Sequence, residues 1–145
     1  MRKLSILLLL ATLGCALALQ PSIAQGTQAQ IVNHVFTTRV IRDQGGGFFA
    51  QELIIGFQPG TASFHTLTQV IVDQGTHEFS MKLFDPRGNE IKSMHMRTVQ
   101  AQRDNWVEAL WVEWSDVRFN QTGKYRLTIY HNAQPIANFY LIVSA

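Results

Sequence analysis

Apolar and polar residues alternate with period two through most of the chain, and no other feature restricts its fold as much. Successive side chains on a β-strand point to opposite faces, so an alternating run buries one face and wets the other. Residues 77–84 show this cleanly, with Phe79, Met81 and Leu83 alternating with Glu78, Ser80 and Lys82. Residues 124–130 repeat it, with Tyr125, Leu127 and Ile129 against Lys124, Arg126 and Thr128. Residues 136–143 place Ala137, Phe139, Leu141 and Val143 together, and residues 31–41 place Val32, Phe36 and Val40 together. In residues 48–57 the apolar set is Phe49, Leu53, Ile55 and Phe57, with Glu52 opposite. Residues 66–72 are rich in Thr and Val but mixed on both faces. Residues 106–114 read as a strand from their Trp and Val content, with Trp106, Leu110, Val112 and Trp114 on one face and Val107, Ala109, Trp111 and Glu113 on the other. No window of useful length carries a 3.6-residue stripe.

Turn chemistry separates these runs. Gly45-Gly46-Gly47, Gln58-Pro59-Gly60, Asp73-Gln74-Gly75, Asp85-Pro86-Arg87-Gly88-Asn89 and His131-Asn132 supply loop and hairpin residues, and Gln100 to Asn105 read as a loop. Strands at roughly ten-residue spacing belong to sandwiches and barrels. The expected fold is therefore all-β, a single antiparallel sandwich of seven to nine strands. With 46% hydrophobic and 15% charged residues the chain is apolar enough to bury a core.

The first 24 residues stand apart. Arg2 and Lys3 precede an apolar run from Leu4 to Leu19, Pro21 breaks it, and Ser22-Ile23-Ala24 sets small residues before Gln25. This is the pattern of a secretory signal peptide over residues 1–24, and the run is too short for a stable membrane span. The domain is then 25–145, placed in the periplasm or secreted, with no transmembrane helix. Thr12-Leu13-Gly14-Cys15 partly matches a lipobox, but Thr12 is not aliphatic and Ala16 to Leu19 stay apolar, which speaks against a lipid anchor at Cys15. Losing Arg2 and Lys3 leaves ten basic against ten acidic residues, scattered singly, with no stripe to neutralise phosphates. Nucleic acid is excluded as a partner on that ground. Cys15 leaves with the leader, so no cysteine remains to cross-link the domain.

Trp114 to Leu127, through Asn120-Gln121-Thr122-Gly123-Lys124-Tyr125, resembles the E–F corner of immunoglobulin-like domains. There a Gly-x-Tyr follows the turn and the Tyr hydroxyl bonds back to the turn backbone, the tyrosine corner. The resemblance implies an immunoglobulin-like sandwich, with Gly123 and Tyr125 as its corner. Gln121 stands where the family carries Asp and Leu127 where it carries its second Cys, so the implied sandwich has no disulfide. The likeness concerns fold and not activity.

Local signatures of chemistry are sparse. The five histidines, His34, His65, His77, His95 and His131, show neither HxH nor HExxH spacing. Met94-His95-Met96 is the sharpest candidate, because thioethers and imidazole suit Cu(I). In a strand, however, the two sulfurs point one way and the imidazole the other, so the set needs Met81 or His77 from a neighbour; the plainer reading is two core methionines and an exposed His. Ser63 and His65 are loop neighbours without triad geometry, and no Gly-x-Ser-x-Gly elbow exists. Glu108 and Glu113 have opposite strand parity and face apart. Gly45 to Gly47 lack a following helix and a Lys, so they cradle no phosphate. Trp111, opposite the face of Leu110 and Trp114, can stand outside the core and anchor a partner or stack on a sugar.

These features describe an exported, non-enzymatic binding or accessory protein that meets another exported or envelope protein through surface contacts, with no cofactor. A periplasmic copper-handling protein using Met94, Met96 and a His is one alternative, and a carbohydrate-binding module with Trp111 on its face is another.

Overall fold

The computed structural model describes residues 28–145; the leader expected over residues 1–24, its expected cleavage site and Cys15 lie outside the described residues. The described residues are all-β, without a helix. The strands are β1 (Ala29–Thr37), β2 (Val40–Arg42), β3 (Phe48–Ala50), β4 (Gly56–Phe57), β5 (Gly60–Val72), β6 (Gly75–Phe84), β7 (Glu90–Ala101), β8 (Trp106–Phe119), β9 (Gly123–His131) and β10 (Gln134–Val143). They form a three-stranded sheet β1-β5-β8, a five-stranded sheet β4-β10-β9-β6-β7 and a small ribbon β2-β3. All pairs are antiparallel except β10 with β4.

The core lies between the two larger sheets. Phe64, Val70, Val72, Leu110, Val112 and Trp114 meet Phe79, Met81, Leu83, Leu127, Ile129 and Leu141 there. Burying each such side chain contributes about 1.5–3 kcal/mol, and the aromatic members stack: Phe64 lies 5.8 Å from Trp114 with near-parallel planes. The two polar core residues of β5 are satisfied in place. The Trp114 indole N–H donates to Thr66 Oγ1 at 3.1 Å, and Thr68 Oγ1 lies 2.8 Å from His34 Nδ1.

The alternating segments 77–84, 106–114 and 124–130 take the expected faces. Elsewhere bulges shift the parity. β1 carries an extra residue at Val32, since Ile31 faces Val70 while Asn33 faces Gln69. Val32 is therefore half-exposed, and the inward set is Ala29, Ile31, His34 and Phe36, not the expected Val32, Phe36 and Val40; Val40 belongs to the ribbon. The expected strand 48–57 breaks into β3, an irregular stretch and β4. Phe49, Leu53 and Ile55 are 56%, 66% and 93% exposed, so only Phe57 of that expected face packs on the core. The physical reason is that residues 38–54 fold back on the end of β1: Thr38 N–H donates to Glu52 O and Ile54 N–H to Phe36 O, and Thr37 Oγ1 is sealed beneath them. Pairing with β1 holds the main chain so that Ile54 packs on the core and Leu53 and Ile55 are left outside. The mixed run 66–72 is part of a longer strand whose even positions from Phe64 to Val72 all face the core. The expected loop at 100–105 shortens, because Gln100 and Ala101 close the ladder with Thr76 and Gly75.

The turn between β9 and β10 is a two-residue hairpin at Asn132-Ala133, both with positive φ (47° and 65°). That is the backbone of a type I′ turn, whose twist matches the strands it joins.

Candidate functional site

Trp111 is 47% exposed. It sits on the outer face of the three-stranded sheet, where register places it beside Leu67 and Leu67 beside Val35. The result is one apolar row across three strands. The neighbouring row runs Thr37, His65, Glu113, and the His65 ring lies 6.4 Å from the indole. His65 Nδ1 is held 3.1 Å from Thr38 O, which requires the proton on that nitrogen because a carbonyl only accepts. Next along the sheet, Phe48 of the ribbon comes down beside Asn33, Leu67, Gln69 and Ala109. Val107 extends the exposed apolar surface along β8.

A concavity of about 600 Å³ lies between β1 and β10. Every residue from Ala29 to His34 lines it on one side, and Ile136, Ala137 and Phe139 on the other. His34 stands at its inner end. Its ring stacks on Phe139 at 4.0 Å and meets Phe36 edge-on at 4.9 Å. Burial pushes its pKa from 6.5 down to about 4, so it is neutral at pH 7. Nε2 is buried with no hydrogen-bond partner. With the proton on Nδ1, donated to Thr68 Oγ1, only a lone pair is left unmatched, the cheaper orphan of the two tautomers.

A second buried imidazole cluster lies at the other end of the core. His77 Nε2 is 2.8 Å from Asp73 O, and His77 Nδ1 is 2.8 Å from His131 Nε2. The carbonyl fixes the proton on His77 Nε2, so His77 Nδ1 accepts from His131. Burial, and then the neighbouring His77, hold the pKa of His131 below its ordinary value. Sequence reading left both clusters unassigned. Their signal was available: His77 shares parity with Phe79 and Met81, and His131 with Ile129 and Leu127. His34 needed the bulge at Val32, which no local pattern announces.

The other sequence candidates are spread apart. Met94 and Met96 pack inward against the core from β7, whereas His95 is exposed on the opposite side. Met81 is the cross-strand partner of Met94, but His77 is paired with Val99, well along the ladder. Among the described residues no three His, Cys, Asp or Glu side chains gather where they could hold a metal ion. Ser63 Oγ accepts from the Asp116 N–H at 3.0 Å, which supports the bulge in β8 where Asp116 takes a φ of 53°. Tyr125 is buried, and its hydroxyl donates to Gln121 O at 3.0 Å. Gly123, two residues earlier, has a φ of 138°, and a Cβ there would come within 2.8 Å of Pro86. No helix of the described residues is long and apolar enough to cross a membrane.

No family model matches the chain, and no curated protein matches it. Among solved structures, the crystal structure of the C-terminal domain of Wzt is similar, with a TM-score of 0.54 at 12% identity over 81% of this chain and 74% of that one. At that identity the likeness concerns the fold alone.

Proposed function

We propose that this chain is an exported, non-enzymatic binding protein of immunoglobulin-like sandwich architecture, acting in the periplasm or after secretion through contacts with another envelope protein. The observation that supports this reading is the Val35, Leu67 and Trp111 row on the outer face of the three-stranded sheet, with its indole half in solvent. Two paired strands hold Trp111, so little ordering entropy remains to be lost on binding, and a desolvated Trp at the centre of an interface contributes about 2 kcal/mol or more.

The test is a photo-crosslinking residue at position 111 in the expressing cell, followed by affinity measurement with the partner it captures. The expected result is one discrete adduct with an exported protein, and at least a thirtyfold loss of affinity in Trp111→Ala at unchanged thermal midpoint. An indole fully shielded from acrylamide, or no adduct from position 111, refutes the assignment of this face.

A second reading rests on His65 and Glu113 in the row next to the indole, polar groups placed to bond the hydroxyls of a sugar stacked on the ring. A glycan array separates the two readings: saturable binding of one glycan, lost in Trp111→Ala, selects the carbohydrate.

A further inference from the structure

The two seams where the large sheets meet are built differently. On one side β7 and β8 close the gap with charged residues: Arg97 pairs with Glu108 at 3.3 Å, and Lys92 Nζ donates to Ser115 O. On the other side β1 and β10 do not pair, and the cleft of about 600 Å³ lies between them. β1 is the end strand of its sheet. Residues 52–54 cover its far edge only from Phe36 to Thr38, so Ala29 to Val35 have no backbone partner on that edge among the described residues. β10 meets β4 only at Ile142 and Val143, which leaves the same condition from Pro135 to Leu141.

Unpaired edges of this kind template another strand, and natural sheets blunt them with charges, Pro or bulges. Here the bulge at Val32 and Pro135 are present, but no Lys, Arg, Asp or Glu occurs between Gln28 and Thr38 or between Asn132 and Ala145. The contrast with the charged β7–β8 seam is within one molecule. A bulge also bends its strand, here at the mouth of the cleft.

We propose that the β1–β10 cleft receives an extended, uncharged segment of another protein, which adds to the free edge of β1 as a further strand and lays alternate apolar side chains on Ile136 and Phe139. Three observations name this occupant. A row of unpaired N–H and C=O groups is complementary to a strand and to little else. From Ala29 to Val35 the edge offers seven residues, roughly 23 Å at the rise of a β-strand. The lining carries no charge, and His34 at its inner end is neutral, so a charged segment would lose its hydration without compensation. This site shares only Val35 with the Trp111 face, and neither reading depends on the other.

The test uses the purified protein and a capped peptide, Thr-Val-Thr-Val-Thr-Val-Thr, followed by amide hydrogen exchange. Saturating peptide is expected to slow exchange at least tenfold within residues 29–35, and a peptide with Lys in place of each Val is expected to have no effect. Val32→Lys, at an exposed position, is expected to weaken the Val peptide at least tenfold with an unchanged thermal midpoint; Gln30→Lys serves if that variant fails to fold. Gln102→Lys, in the loop before β8, and Trp111→Ala are expected to leave peptide binding intact, so failure here is distinct from failure of the outer-face reading. Unchanged exchange at millimolar peptide, or protection confined to other strands, overturns the proposal. So does peptide-free dimerisation that Val32→Lys abolishes, because the occupant is then a second copy of this chain.

Discussion

His34 gives the sharpest energetic prediction. Its imidazole is stacked on Phe139, meets Phe36 edge-on, is bonded to Thr68, and is held neutral down to about pH 4. The unfolded chain releases the ring to its ordinary pKa of 6.5. Between those two values the unfolded state binds a proton that the folded state refuses, so stability falls as pH falls through this window and is fully present above it. A shift of this size, at 1.36 kcal/mol per unit, corresponds to about 3 kcal/mol. The perturbation is His34→Phe combined with Thr68→Val, which keeps the ring stack and avoids stranding the Thr68 hydroxyl. The assay is urea unfolding of both proteins from pH 7.5 to pH 4. The double variant lacks this loss, so its stability relative to the wild type is expected to rise by about 3 kcal/mol on acidification. His131 is also held below its ordinary pKa and acts with the same sign, but it is present in both proteins and cancels in the difference, as do the carboxylates. A stability difference that stays constant across the range refutes the reasoning, because it means His34 titrates as a solvated imidazole.

Four further outcomes are expected. Thr66→Val leaves the buried Trp114 N–H without an acceptor and costs about 1–3 kcal/mol, read as a lower urea midpoint at unchanged slope. Tyr125→Phe removes the bond to Gln121 O and costs about 1 kcal/mol by the same measurement. Gly123→Ala destabilises by more than about 1 kcal/mol, since its φ of 138° disfavours any Cβ and Pro86 occupies the space one would take. Ala133→Gly raises stability by about 0.5–1 kcal/mol, because both central residues of a type I′ turn need positive φ and Ala bears a steric cost there; a lower thermal midpoint contradicts this.

Much of the architecture was legible because a regular strand advertises its buried face. The odd positions of 77–84 and 124–130 and the even positions of 106–114 could be read directly, and with them the interior of both sheets. The same parity set Trp111 opposite the core face, and the structure showed that this face leaves its indole half in solvent. Where the reading failed, the ladder had gained or lost a residue. Val32 turned outward because β1 bulges there, Phe49 because it lies in the β2–β3 ribbon opposite Ile41, and Leu53 and Ile55 because residues 52–54 bond to the end of β1 and not within a regular sheet. A bulge costs one residue of register and leaves no mark in hydropathy.

Taken alone, the sequence determined that this chain builds β-sheets, which side chains of its long strands meet inside, and where most of its turns fall. Those properties depend on neighbours a few positions away, which the order of residues specifies. Only the tertiary structure decided which strands lie side by side, that His77 meets His131 and His34 meets Phe139, and that one seam of the molecule is closed by charge while the other stands open. Those contacts join residues from 11 positions apart, as in Arg97 with Glu108, to 105 apart, as in His34 with Phe139, and they are set by how the sheets pack, which no local period records.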